Sequence, residues 1–149
     1  MDYISKIRQY VGHMPIMATA VLGIIYDKKR GILFEKRSDN GMWCVPSGSI
    51  ELEESLEQAL KREVKEETSL EISNIQFFDV KSGVHAIYSN GDEVYYTNVC
   101  YIVNTFSGNI ENNEESIELK WFDINQIPKD IVPTQIEYIE KFVNSKNEQ

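Results

Sequence analysis

Apolar positions recur along this chain at two spacings, and those spacings assign most elements before any chemistry is considered. Ile4, Ile7 and Val11 stand at helical intervals, so residues 2–11 are expected to form a short helix that Gly12 and Pro15 end. Residues 17–26, MATAVLGIIY, are apolar throughout and suit a strand covered on both faces. A charged turn, Asp27 to Gly31, leads to a returning strand at Ile32 to Lys36. Trp43-Cys44-Val45 reads as a brief extended piece before the Pro46-Ser47-Gly48 turn. Ser55 and Gln58 have capping-box spacing, which predicts a helix from Leu56 to Thr68. One or two strands follow between Ile72 and Tyr88. Asn90-Gly91 signals a tight hairpin with positive φ at both central positions, and Glu93 to Asn104 is the returning strand. Ser107 to Glu115 is a polar loop. Ile117, Leu119 and Trp121 alternate on a last strand, and Thr134 is expected to cap a helix over residues 134–145, with Asn144 to Gln149 fraying. No repeat or linker interrupts this order, so residues 1–149 read as one domain of mixed sheet and few helices.

The helix at 56–68 departs from an ordinary amphipathic pattern. At about 100° per residue, Leu56, Ala59, Leu60 and Val64 define an inward face, and Gln58, Lys61, Arg62 and Lys65 an outward one. Glu63, Glu66 and Glu67 fall on the inward side. Carboxylates three and four residues apart repel, and these stand where the helix dipole already presents negative charge. A divalent cation would relieve both effects and the cost of desolvation, since carboxylate oxygens suit Mg²⁺, Mn²⁺ or Ca²⁺.

Composition narrows the class of partner. With 42% hydrophobic and 26% charged residues, the chain reads as a globular protein with a core. A formal net charge of -9 argues against general affinity for a nucleic-acid duplex or an anionic membrane, and requires something cationic between the protein and any phosphate-bearing substrate. Cys44 and Cys100 have no metal-ligand spacing and are expected to be free thiols. With no signal segment and no apolar run long enough to span a bilayer, the expected location is the cytoplasm.

Gly48, Glu54, then Arg62-Glu63-Val64-x-Glu66-Glu67-x-x-Leu70 resembles the signature of the Nudix hydrolases, G-x5-E-x7-R-E-U-x-E-E-x-G-U with U apolar. This box spans residues 48–70. Ser69 stands where the family has its last glycine, and Ser47 replaces the first of two glycines usual before the box. The resemblance implies an α+β fold, the Nudix-type α/β/α sandwich with a mixed β-sheet. It implies hydrolysis of a pyrophosphate linkage, in a nucleoside diphosphate derivative or a nucleoside triphosphate, by water attack at phosphorus with Mg²⁺ or Mn²⁺. Carried over by position, Glu63, Glu66, Glu67 and the Ser47 carbonyl would hold metal. Arg62 would orient Glu63, Glu54 would support the preceding loop, and Glu66 would be the base, with Glu114, Glu115 and Glu118 as alternatives. Lys36, Arg37 and Lys81 are candidates for the distal phosphates, Trp43, Phe78, Tyr95 and Tyr96 for stacking, and His85 for substrate contact; His13 is expected in a loop. The partner would be a small nucleotide-type molecule, and the chain a monomer or homodimer. Two other readings use the same fold: a nucleotide sensor without catalysis, and an isomerase with further acid/base groups.

Overall fold

The computed structural model describes residues 1–148. Helix α1 (Tyr3–Val11) opens the chain, its first turn closed by the Asp2 carboxylate accepting from the Ser5 amide. Strands β1 (Ile16–Asp27), β2 (Gly31–Arg37), β3 (Trp43–Cys44) and β4 (Ser47–Ser49) precede helix α2 (Leu56–Thr68). Strands β5 (Glu71–Ile87), β6 (Glu93–Ser107) and β7 (Ser116–Phe122) follow, then a 3-10 turn (Pro133–Gln135) and helix α3 (Ile136–Asn147).

The seven strands form one mixed sheet with the path β3-β2-β1-β6-β5, to which β4 adds on β1 and β7 on β2. Only β1 and β6 run parallel, in register from Ile16 opposite Val94 to Ile25 opposite Val103; the other pairings are antiparallel. Because β1 is covered on both faces, its alternate residues feed two cores. Val21 and Ile25 pack with Leu33, Ala59, Leu60 and Val64 under α2. Leu22 and Ile24 pack with Ile32, Phe34, Tyr138, Ile139 and Phe142 under α3. Gly23 lies on the α2 side, where a Cβ would stand 3.1 Å from the Leu60 side chain. Two helical layers thus enclose the sheet, as the sequence led one to expect.

Three local expectations are corrected. The Asn90-Gly91 hairpin is not a two-residue turn: the ladder ends at Ile87 opposite Glu93, and only Gly91 takes positive φ. The cause lies in the side chains, since Asn90 Oδ1 accepts from the Asp92 amide and Asp92 is tied to His13, which holds a longer connection open. Thr134 lies inside the 3-10 turn and does not cap α3, whose first turn has no side-chain cap. The polar tail continues α3 to Asn147; Gln149, also expected to fray, lies outside the described residues. The span 71–87 is a single strand, kept in register by irregularities between Phe77 and Asp79 and between Lys81 and Val84.

Candidate functional site

Helix α2 begins with the capping box read from the sequence: Ser55 Oγ accepts from the Gln58 amide at 3.1 Å and Gln58 Oε1 from the Ser55 amide at 2.8 Å. It ends with Ser69 in the left-handed region, φ 71°, whose amide donates to the Lys65 carbonyl. Between these caps Ala59, Leu60 and Val64 are fully buried, and the helix is pinned against β1, β4 and β5. That packing turns Glu63 toward Gly48 on β4 and buries Glu67.

The glutamates are not equivalent. Glu67 is 7% exposed, and its Oε2 has no hydrogen-bond partner. Glu63 is half-buried against Gly48, where a Cβ would stand 2.1 Å from the Glu63 carboxyl carbon. Glycine is therefore required at 48 by close approach and not by backbone conformation. Glu66 is exposed at the rim, so the inward placement read from the helical wheel holds for Glu63 and Glu67 and fails for Glu66.

Arg62, placed on the outward face by the same wheel, folds back and organises the site. It donates to both Glu54 oxygens at 2.7 and 3.0 Å, to Glu63 at 2.8 Å, to the Ser49 carbonyl at 3.1 Å and to Glu66 at 3.4 Å. Glu54 in turn accepts from the Glu51 amide, fixing the loop before α2. Its pairing with Arg62 holds the Glu54 carboxyl below the usual range, and Glu54 above all raises the Arg62 guanidinium.

A fourth carboxylate completes the cluster. Glu35 on β2 is 6% exposed, faces Glu67 and accepts from the Cys44 thiol at 3.4 Å. Burial raises the Glu67 pKa well above the ordinary carboxylate value, and the Glu35 charge pushes it further. Burial likewise raises Glu35 and Glu63, the latter despite Arg62. The sequence did carry a signal for Glu35: strand alternation puts it on the face of Leu33, which is core. Asn113 had no such signal. Its amide donates to the Glu66 and Glu67 carbonyls at 3.1 and 2.8 Å, satisfying the last turn of α2. Gln135 is another: buried, it accepts from the Val45 amide at 2.8 Å and donates to Ser47 Oγ at 3.4 Å, steadying the approach to β4.

Two cavities share Ser47, Gly48, Ser49, Tyr88 and Tyr96 as their common wall, and Glu67 lines neither. One, of about 760 Å³, holds Arg62, Glu63, Glu66 and Glu115; the other, of about 480 Å³, holds Arg37, His85, Asn98 and Gln135. Glu114 and Glu115 border a shallower recess beside Glu66. Glu118 pairs with Lys36 across β7 and β2 and lines none of these cavities.

Of the cations expected at distal phosphates, only Arg37 lines a cavity, and Asp39 holds it through two hydrogen bonds of 2.9 and 2.7 Å. Lys36 lies over the Trp43 ring and Lys81 pairs with Glu137 of α3; neither borders the cleft. Trp43 packs on Phe122 and Phe78 on Phe142, both as core. Tyr95 stacks on His85, while Tyr96 shares a 2.8 Å hydroxyl contact with Tyr88 in the common wall. His13 bonds Asp92 at 2.7 Å beside the hairpin turn.

These donors suit a hard divalent cation. They are carboxylate oxygens, one of them buried without a partner, and the site crowds more negative charge than Arg62 can balance. Among the described residues no three acidic, histidine or cysteine side chains are gathered at ligand spacing, because Arg62 draws Glu63 and Glu66 while Glu35 engages Glu67. Cys44 and Cys100 are free and buried, and no described helix is long and apolar enough to cross a membrane.

Residues 17–142 match the model of the NUDIX domain family. The chain is 33% identical over 117 residues to an ADP-ribose pyrophosphatase of Methanocaldococcus jannaschii, an alignment covering 75% of this chain and 65% of that protein. It is 30% identical to the NAD-capped RNA hydrolase NudC of Vibrio atlanticus, over 81% of this chain and 42% of that one. The chain thus spans between two-fifths and two-thirds of the length of these curated relatives. A crystal structure of a MutT NUDIX hydrolase from Burkholderia pseudomallei superposes with a TM-score of 0.72 at 24% identity, covering 83% of this chain and 96% of that one, and supports the fold.

Proposed function

The chain belongs to the NUDIX domain family, and from that premise we propose that it hydrolyses a pyrophosphate linkage in a nucleoside diphosphate derivative or a nucleoside triphosphate. The observation that carries this reading is the buried pair of Glu67 and Glu35, in which Glu67 keeps an oxygen without a partner, on the helix whose Glu63 and Glu66 line the larger cavity. Glu63, Glu66, Glu67 and the Ser47 carbonyl are the proposed holders of Mg²⁺ or Mn²⁺. When bound, such an ion supplies charge for the phosphate oxygens and acidity for the attacking water.

The chain's own residues do the rest. Arg62 fixes the Glu63 carboxylate through its 2.8 Å hydrogen bond and ties it to the loop through Glu54. Glu66, exposed at the cleft rim, accepts the proton as water adds to phosphorus. The bridging P–O bond breaks, leaving a nucleoside phosphate and the phosphorylated remainder. Glu115 borders the same cavity and is the alternative base that the loop supplies. Gly48 leaves room for the Glu63 carboxylate, so the loop and α2 act as one unit.

The relatives' names put ADP-ribose and an NAD-type dinucleotide on the test panel, together with nucleotide sugars and triphosphates. The experiment incubates the protein with each compound and Mg²⁺ and separates the products by chromatography. Release of a nucleoside phosphate from at least one compound is expected. Binding of a nucleotide without any product would favour a sensor on the same fold.

A further inference from the structure

We infer that Asn98 sets the base preference of this protein: its side-chain amide, in the wall of the smaller cavity, takes the hydrogen-bonding edge of the nucleobase. This role rests on the nucleotide reading above and does not require that the nucleotide be cleaved.

Asn98 lies in the middle of β6, opposite Ala20 on β1 and Lys81 on β5. Strand alternation puts its side chain on the face of Cys100, the α3 side of the sheet, where it lines the cavity of about 480 Å³. It is 8% exposed. A side-chain amide buried to this degree ordinarily finds partners within the protein. Among the described residues none bonds this one, and the Tyr138 hydroxyl donates instead to the Asn98 main-chain carbonyl at 3.3 Å. The neighbours on the same face explain why. Ala20 carries no polar group, Lys81 is drawn to Glu137, and Tyr96 shares its hydroxyl with Tyr88. Gln135, across the cavity, is taken by Val45 and Ser47. Nor is the amide sealed into the core. Unlike Glu67 Oε2, its atoms keep access to the cavity.

The cavity around Asn98 suits a base better than a phosphate. Among the described residues its lining holds no Lys, Arg, Asp or Glu besides Arg37 and Asp39, which hold each other at 2.9 and 2.7 Å. Ile87, Val132 and Pro133 offer apolar surface to the faces of a ring. The wall at Ser47, Gly48 and Ser49 separates this cavity from the one that holds Glu63 and Glu66, so a base here and a pyrophosphate there can belong to one nucleotide. The amide presents one donor beside one acceptor. That pair matches adenine, through N6–H and a ring nitrogen, and also guanine, through O6 and N1–H. A carboxylate at the same place would offer acceptors only, and would match only the N1–H and N2–H donors of guanine. Base preference therefore turns on the chemistry of this one side chain.

Calorimetry in Mg²⁺ at pH 8 tests the role with three ligands: α,β-methylene-ADP, α,β-methylene-GDP and methylenediphosphonate. All carry an uncleavable bridge, and the last has no nucleoside. The proteins are the full chain, Asn98→Leu and Asn98→Asp. Asn98→Leu is expected to weaken both nucleotides about tenfold or more while methylenediphosphonate stays within about twofold. It should melt no lower than the parent, because no hydrogen bond within the protein is lost. Asn98→Asp should move the ratio of adenine to guanine affinity toward guanine by about tenfold or more. Equal weakening of all three ligands by Asn98→Leu would make the residue structural and overturn the inference. So would nucleotide affinities unchanged in Asn98→Leu, an unchanged ratio in Asn98→Asp, or a parent that binds the nucleotides no more tightly than methylenediphosphonate. The expected affinities in a protein that turns over none of the compounds on the hydrolysis panel would remove the hydrolase reading and leave Asn98 its role. Turnover without the expected affinity changes would do the reverse.

Discussion

Glu67 sits where two opposing demands meet. Its carboxylate is 7% exposed, faces Glu35, and leaves Oε2 unpaired, an arrangement that costs stability whenever both acids are ionised. A residue selected only for folding would be an amide or an apolar group. Glu67→Gln removes one charge and gives Glu35 an amide donor. We expect the metal-free variant to melt about 2–4 °C higher than the parent, corresponding to about 1 kcal/mol, while turnover falls by about a hundredfold or more. Melting curves in chelator and initial rates in Mg²⁺ check both parts. A lower melting temperature with unchanged rate would mean that Glu67 is an ordinary buried acid. Gly48 belongs to the same calculation, since any side chain there displaces the Glu63 carboxylate.

At the scale of the element, α2 carries both its stabilising and its straining features at its ends. The capping box at Ser55 satisfies the first turn, and Asn113 satisfies carbonyls of the last. Ser69 holds φ 71° without the freedom of glycine. Ser69→Gly should therefore stabilise the protein by about 1 kcal/mol, raising the melting temperature about 2–4 °C. A melting temperature unchanged or lowered would show that the serine side chain compensates for its backbone. This helix was readable from sequence almost to the residue, because its cap, its apolar face and its charged run are all local signals. What failed were signals that tertiary contacts override. Arg62 looks outward on a helical wheel until Glu54, eight residues earlier, returns to meet it. Asn90-Gly91 has the composition of a two-residue turn, but Asp92 is anchored to His13 across the chain. Thr134 resembles a cap, yet Pro133 starts a 3-10 turn first. Glu35 needed the strand's face to be known, and Lys81 was drawn away by Glu137.

For the whole molecule, the sheet places α2 on one face and α3 on the other, and the cleft opens where β4, the hairpin turn and α1 approach the end of α2. The order of elements and the resemblance made the fold legible, and Glu54, Glu63, Glu66 and Glu67 were legible through the box, outside which Glu35 lies. The cleft's outer wall was not, because α1 and the turn at 88–92 meet through contacts more than eighty residues apart in sequence. The global consequence of the acid cluster is a pH dependence with a definite sign. Glu35, Glu63 and Glu67 have pKa values raised in the folded protein, chiefly by burial. Their contribution to stability is complete below the unfolded carboxylate pKa and is lost as pH rises through the folded values. Glu54, lowered by Arg62, behaves oppositely; its contribution is present above the unfolded pKa and stays constant from pH 5.5 upward.

The central claim, that the acid-lined cleft works through a cation, is tested most directly by the rise in melting temperature that Mg²⁺ produces at pH 8 and at pH 5.5, in the parent and in Glu67→Gln. At a Mg²⁺ concentration of about a hundred times its dissociation constant, binding adds about 2.7 kcal/mol, a rise of roughly 5–10 °C. The account predicts that rise at pH 8, a rise less than half as large at pH 5.5, and none in Glu67→Gln at either pH. Equal rises at the two pH values, or a rise in Glu67→Gln matching the parent, would contradict it.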